Sequence, residues 1–442
     1  MTEQREQWAS RWGFILATIG SAVGLGNIWR FSYAMGVNGG STFLIIYLIS
    51  VLLLGFPIML IEFSIGRRAQ ADAVESFKKI APRTKWFIAG GIGVLAAFLI
   101  LTFYGVIGGW SLRYTAEYLT GGIAGNSERF FQEFISSPVS PIVWQFIFMA
   151  ITISIVFIGV QKGIELSSKW MMPILSLLLL GLAAYSLTLG GAEEALRFMF
   201  QPDWEAFANP NVYLAAMGQA FFSLSLGMGI MLTYGSYLSP SIRLTSNAAI
   251  VIVFDTLFAL ISGLVIFPAV FAFGLDPAEG AGLVFIVLPT IFEALGGIGV
   301  VIGVAFFVLL TLAALSSSIS LLEVSTSYFI RKFRWSRKKV AVAAGLIIFL
   351  IGIPSSLSQG AVDITIFGES FLDFVDMFTG NVMLPISALI AVIFVGWTWK
   401  KEEIFEHSDI KEASWGPVLI FLLKFIAPVA ILIILAFGVL NW

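Results

Sequence analysis

Two glycines one residue apart, Gly24 and Gly26, stand inside an apolar stretch near the start of the chain, followed at once by Asn27 and then by Arg30. A second apolar stretch carries Gly227 and Gly229, with Ser223 and Ser225 just before them. Glycine weakens a helix by about 1 kcal/mol relative to alanine, so each pair invites a break in a membrane helix. A break frees N–H groups on one half-helix and C=O groups on the other. The N–H end attracts a carboxylate and the C=O end a cation. A zwitterionic amino acid presents both charges on one carbon. Two broken helices facing each other can therefore hold its amino and carboxyl groups largely by backbone, leaving the side chain to a separate apolar pocket. Close helix packing through small residues is the competing explanation for either glycine pair taken alone.

Composition sets the stage for that chemistry. Of 442 residues 58% are hydrophobic and only 12% charged, against about 25% charged in an ordinary soluble domain. With a mean hydropathy of +0.95, the chain reads as an all-α integral membrane protein, a single domain over residues 1–442. It has no cysteine and one histidine, His407, in a polar loop. The apolar segments contain no HExxH, no Gly-x-Ser-x-Gly, no cysteine and no histidine, which argues against an intramembrane enzyme. No nucleic-acid partner is expected. The N-terminus lacks the layout of a cleaved signal peptide, so the first apolar stretch is expected to stay.

About 20 apolar residues cross the hydrocarbon as a helix. Eleven segments of that kind are read, at 11–37, 40–66, 87–118, 142–160, 166–189, 211–239, 246–274, 297–330, 338–354, 374–398 and 416–440; they are called segments 1 to 11 below. With the N-terminus inside, 20 of the 25 Lys and Arg residues fall on the inner side and four (Arg30, Arg113, Arg129, Arg197) on the outer, Lys424 lying within segment 11. This asymmetry predicts a cytoplasmic N-terminus and an extracellular C-terminus in a multi-pass plasma-membrane protein. The outer connection 275–296 is too interrupted for a span and could form a pair of short helices over an outer vestibule.

The glycine pairs lie 203 residues apart. That offset lays segments 1–5 (11–189) on segments 6–10 (211–398), with segment 11 (416–440) outside the repeat. An odd number of spans per half inverts the second half. Interrupted segments at matching places in inverted halves point to a transporter's binding site.

"RWGFILATIGSAVGLGNIWRF", "GFPIMLIEFSIGR", "GQAFFSLSLGMG" and "LAALSSSISLLE" closely resemble the neurotransmitter:sodium symporters, the bacterial amino-acid branch above all. The resemblance implies the LeuT-like fold, five helices plus five inverted helices with helices 1 and 6 discontinuous. The twelfth span usual in the family is missing, so each chain's own pathway is expected to suffice as a monomer. The resemblance further implies that the amides of Leu25 and Gly26, with the Tyr104 hydroxyl, hold a substrate carboxylate. The carbonyls of Ala22, Phe222 and Ser225 would hold its amino group. Ile100, Tyr104, Phe222, Met228 and Leu321 would line an uncharged side-chain pocket, which suits neutral hydrophobic L-amino acids, aliphatic or aromatic. Without the resemblance, Tyr104 reads as a packing tyrosine.

Two sodium ions are implied. One would lie among the carbonyls of Gly20, Val23 and Ala313 and the hydroxyls of Ser316 and Ser317. Residues three and four along a helix stand over the carbonyl of residue 313, so these oxygens converge; back-bonding to the same turn is the alternative. The other would use the Ala22 carbonyl, Asn27, Ser223, Asp255 and the substrate's own carboxylate. Asp255 replaces the family's usual asparagine. A carboxylate inside a span costs about 2.5–3.5 kcal/mol and needs a partner; its charge, with Ala259 where many relatives have serine, implies transport without chloride. Arg30 and Asp376, with Gln219 nearby and Phe222 as a lid, match an outer gate; a snorkelling arginine is the alternative for Arg30. Arg5, Trp8 and Tyr237 match an inner gate, but Arg331 stands where relatives have the acid. Glu62 resembles the acid that bonds free amides of the broken helices, and Gly163 and Pro173 flank a stretch of segment 5 that unwinds in relatives. A proton-coupled or uncoupled permease of the same fold, or a ligand sensor without transport, uses the same pocket.

Overall fold

The computed structural model describes residues 6–123, 125–277, 282–411 and 413–440. Nine of its helices are long and apolar enough to cross a membrane, from Ser41–Ala69 (segment 2) to Gly416–Gly438 (segment 11), and a tenth span is counted if the bent pair Arg11–Ala22 and Gly26–Val37 is one. Their ends fall within a few residues of those read from hydropathy, except that segment 5 starts earlier, at Val160. Segment 6 is two helices, Pro210–Ser223 and Ile230–Gly235. Many backbone groups are satisfied within the helices themselves, as a hydrocarbon surround demands.

Both glycine pairs break their helices, by different backbone routes. In segment 1 the break follows Ala22, the two parts are bent by 48°, and the chain resumes at Gly26 with a π-helical turn to Arg30. In segment 6 three residues take the left-handed region, Ser225 (φ 53°), Gly227 (φ 74°) and Gly229 (φ 72°). A Cβ on Gly227 would lie 2.6 Å from the Leu384 carbonyl oxygen of segment 10, so this glycine is needed for its φ and for close approach alike.

The long Gly297–Phe333 helix (segment 8) packs along Phe87–Leu119 (segment 3), and both run beside the broken helices. Among the described residues the connection 275–296 holds one short helix, Leu283–Ala294, rather than a pair; residues 278–281 lie outside the described set. Helices also form at Ala73–Ile80, Ser127–Ile135, Ala192–Phe200 and Lys401–His407. A two-residue antiparallel hairpin pairs Thr365 with Ser370 and Ile366 with Glu369. These short amphipathic elements are too small to register as spans.

Candidate functional site

Between the two breaks lies a cavity bordered by segments 1, 3, 6 and 8. Eight of the nine residues proposed for substrate line it: Ala22, Gly26, Ile100, Tyr104, Phe222, Ser225, Met228 and Leu321. The ninth, Leu25, turns its buried side chain elsewhere and meets the cavity through its amide, which donates to the Tyr104 hydroxyl at 3.2 Å. Ser21, Gly24, Ile230, Ser317 and Ser320 also line it. Of these, Gly24 is expected as a break residue and Ser317 as a sodium ligand; Ser21, Ile230 and Ser320 carry no such expectation. The Ser225 hydroxyl donates to the Ser21 carbonyl at 3.1 Å, tying one break to the other. Glu62 accepts from the Gly227 amide at 2.9 Å, so a free N–H of the segment 6 break has a carboxylate partner.

One wall of the break in segment 1 carries a polar cluster. Asn27, Ser223 and Asp255 are buried. The Asn27 amide donates to the Asp255 carboxylate at 2.8 Å and to the Ser223 hydroxyl at 3.1 Å. Ser223 approaches both Asp255 oxygens, at 2.9 and 2.8 Å, and Tyr47 donates at 3.2 Å. All these partners are neutral. Among the described residues no cationic side chain lies within ion-pair distance of Asp255. A buried carboxylate with neutral partners alone is the expensive case, and a small cation beside it would balance the charge. Tyr47 was missed; a tyrosine in an apolar helix carries no sequence mark of what its hydroxyl touches.

A second oxygen cluster lies where segment 8 meets the same break. The Ser316 hydroxyl is 2.9 Å from the Ala313 carbonyl and 3.3 Å from the Val23 carbonyl. The shorter contact is the back-bond to its own helical turn, and the Val23 carbonyl of the break faces the same hydroxyl. A Cβ on Gly20 would come within 3.3 Å of the Ser316 side chain, which puts Gly20 at the same place. Ser317 donates to the Ser21 carbonyl at 3.1 Å. Carbonyls, hydroxyls and one carboxylate are hard oxygen donors, which suit hard cations rather than soft transition metals.

The residues expected as gates are arranged differently from the expectation. Arg30 and Asp376 form no ion pair; instead the Arg30 guanidinium lies over the Phe222 ring, 4.3 Å from its centroid, a cation–π contact. A Cβ on Gly380, four residues beyond Asp376, would lie 3.9 Å from Arg30, so Arg30 does reach segment 10, but past the acid. Gln219 donates to the Gly26 carbonyl at 2.7 Å. On the opposite side Trp8 is buried and donates through its indole to the Tyr234 carbonyl at 3.0 Å. Tyr237 donates to the Glu323 carboxylate at 2.5 Å, and Arg337 grips the same carboxylate with two bonds of 2.6 and 2.8 Å. Arg5 lies outside the described residues. Arg331 pairs with Asp72 and, at 3.2 Å, with Glu75. The acid that the resemblance implies at 331 is absent there; Glu323, two turns earlier, presents a carboxylate to Tyr237, with Arg337 at the start of segment 9 as its cation. A charge inside an apolar run was the signal that could have found Glu323.

The sodium:neurotransmitter symporter family matches this chain over residues 5–133 and 132–442. The uncharacterized sodium-dependent transporter YhdH of Bacillus subtilis is 42% identical over 445 residues, covering 98% of each chain. An uncharacterized sodium-dependent transporter of Methanocaldococcus jannaschii is 36% identical, over 94% of this chain and 87% of its own length. Among solved structures, MhsT in complex with L-phenylalanine superimposes with a TM-score of 0.93 and 56% identity, over 98% of this chain and 99% of that one. By these matches, and by the broken helices that carry the site, the chain belongs to the sodium:neurotransmitter symporter family.

Proposed function

We propose that this transporter imports neutral hydrophobic L-amino acids together with two sodium ions, without chloride, by alternating access through a single chain. The observation that carries the reading is the juxtaposition of three things at the breaks: an apolar cavity lined by Ile100, Phe222, Met228 and Leu321, a buried carboxylate without a cationic side chain, and the Ser316 oxygen set. The substrate amino group would meet the carbonyls of Ala22, Phe222 and Ser225, and its carboxylate the amides of Leu25 and Gly26 with Tyr104. Sodium beside Asp255, Asn27, Ser223 and the Ala22 carbonyl would share the substrate carboxylate. Each ligand then raises the other's affinity by the same factor. The second ion would sit among Gly20, Val23, Ala313, Ser316 and Ser317.

In this reading the chain crosses the plasma membrane eleven times, segments 6–10 repeat segments 1–5 inverted, and the N-terminus is cytoplasmic. Arg30 over Phe222, with Gln219, closes the outer path, and Trp8, Tyr237, Glu323 and Arg337 close the inner one. Arg30 and Asp376 are expected to pair across the outer path when that side is shut over substrate. The uncharged lining by Ile100, Phe222, Met228 and Leu321 argues for apolar over charged amino acids. Competition among amino acids for sodium-dependent binding of radiolabelled L-phenylalanine to the purified protein tests this. Displacement by the apolar set and not by lysine or glutamate is expected; the opposite order would refute the substrate class.

The breaks tolerate little added volume. A Cβ on Gly24 would fall 2.2 Å from the Ser317 hydroxyl and 2.9 Å from the Tyr104 hydroxyl. Overpacking costs about 1–3 kcal/mol, so Gly24→Ala is expected to destabilise the substrate-free protein by about that amount and, by displacing Tyr104 and Ser317, to weaken L-phenylalanine binding at least about fivefold. A dissociation constant within twofold of wild type, to be read by equilibrium binding, would contradict the placement of the carboxylate site.

A further inference from the structure

Segment 8 hands over to segment 9 through the run 331–339, which holds six cations and no acid: Arg331, Lys332, Arg334, Arg337, Lys338 and Lys339. The helix Gly297–Phe333 stops where Arg334 takes the left-handed region (φ 54°), and Arg337–Leu357 starts just beyond. The six cations divide into two sets. Arg331 pairs with Asp72 and Glu75, and Arg337 with Glu323 and Glu6. Lys332, Arg334, Lys338 and Lys339 are exposed, and none of them has an acidic side chain within ion-pair distance among the described residues. Two of these four lie on rings instead. The Lys339 ammonium is 4.1 Å from the centroid of Trp335, and that of Lys338 is 5.1 Å from the centroid of Phe157, at the end of segment 4. A ring face holds a cation without cancelling its charge. Trp335 also continues a row of rings, 5.3 Å from Phe333, which stacks on Phe329 at 5.6 Å. Phe333 and Trp335 are 51% and 41% exposed. Further along segment 9, Leu346, Ile347 and Leu350 point outward.

We infer that this corner binds an anionic phospholipid, its phosphate among Lys332, Arg334, Lys338 and Lys339 and an acyl chain along the outward face of segment 9. Three properties select that partner. Two helices long and apolar enough to span a membrane end here together, which puts the corner at the boundary of hydrocarbon and water, where lipid phosphates lie and aromatic rings are favoured. Four cations without acidic partners, clustered at the end of a span, attract anionic headgroups; Arg331 and Arg337 do not count, because carboxylates of the protein already neutralise them. The rings of Phe333 and Trp335 and the outward residues of segment 9 carry the corner on into the apolar layer. A ligand that meets both parts has a charged head and an apolar tail. An acidic peptide or a soluble phosphate would satisfy the charge alone. The inference does not rest on the transport reading.

Titration of the full chain in detergent with phosphatidylglycerol, and separately with phosphatidylcholine, tests this by native mass spectrometry. The wild type is expected to hold phosphatidylglycerol more tightly. Lys338→Gln combined with Lys339→Gln is expected to weaken it about 25-fold, about fivefold for each cation, and to leave phosphatidylcholine unchanged. The control variant combines Lys78→Gln with Lys85→Gln. It removes two exposed cations of the connection between segments 2 and 3, which the Arg331 pairs with Asp72 and Glu75 place at the same end of the molecule. Its phosphatidylglycerol binding is expected to stay nearly unchanged. Equal losses in the two variants would mean charge spread over that whole end and would overturn the inference, as would equal binding of the two lipids by the wild type. Displacement of the lipid by excess glycerol 3-phosphate would overturn it in favour of a soluble phosphate. Phosphatidylglycerol is also expected to raise the thermal stability of the wild type, because it binds the folded state, and not that of the Lys338 and Lys339 variant; an equal rise in both would place the lipid elsewhere. Should that variant fail to fold, Lys332→Gln with Arg334→Gln is read in the same way.

Discussion

Asp255→Asn is expected to raise the sodium concentration for half-maximal L-phenylalanine uptake about 30- to 150-fold, since a charge-assisted contact is worth about 2–3 kcal/mol. The substitution keeps the shape of the side chain; it removes the charge and turns one of the two accepting oxygens, which face Asn27, Ser223 and Tyr47, into a donor. Wild-type uptake is expected to be the same in chloride and in gluconate, because Asp255 carries the negative charge within the protein. In Asp255→Asn added chloride is expected to restore part of the lost uptake. A wild type whose uptake falls about tenfold in gluconate, a 1.4 kcal/mol effect, would remove Asp255 from this role.

Ser316→Ala combined with Ser317→Ala is expected to abolish the cooperative sodium dependence. With the Ser316 oxygen gone, the Val23 and Ala313 carbonyls keep too few companions to replace the hydration shell of an ion. The remaining uptake should follow sodium to first order and require about 100-fold more of it, if each lost oxygen costs about 1.5 kcal/mol. The double variant is expected to fold, because the two hydroxyls bond to carbonyls and, from Ser317, to the Tyr104 hydroxyl, each a loss of about 1 kcal/mol. Uptake of the double variant with unchanged steepness would place the second ion elsewhere.

Much of the site was legible because its signals are local. Gly24 with Gly26 and Gly227 with Gly229 mark both breaks through a backbone preference that holds anywhere, and Asp255 stands out because a charge in an apolar run needs a reason. The membrane also simplifies the fold, since hydropathy alone locates the long helices. What escaped was non-local. Ser225 in the left-handed region has no glycine to announce it. The Glu323–Arg337 pair joins two helices through a loop, and only packing brings Tyr237 to the same carboxylate. Arg30 looked like half of an ion pair with Asp376, yet its guanidinium finds a ring face instead, a choice that sequence spacing does not encode. Glu165 accepts from the Ala9 amide and the Ser10 hydroxyl, partners far away in sequence that spacing does not reveal.

The most direct measurement is uptake of radiolabelled L-phenylalanine into proteoliposomes, with an inward gradient of sodium, of potassium or of protons imposed in turn. Concentrative uptake with the sodium gradient alone, steeper than first order in sodium, is the predicted result. Concentrative uptake driven by protons in the absence of sodium would contradict the account and leave only the cavity between the broken helices standing.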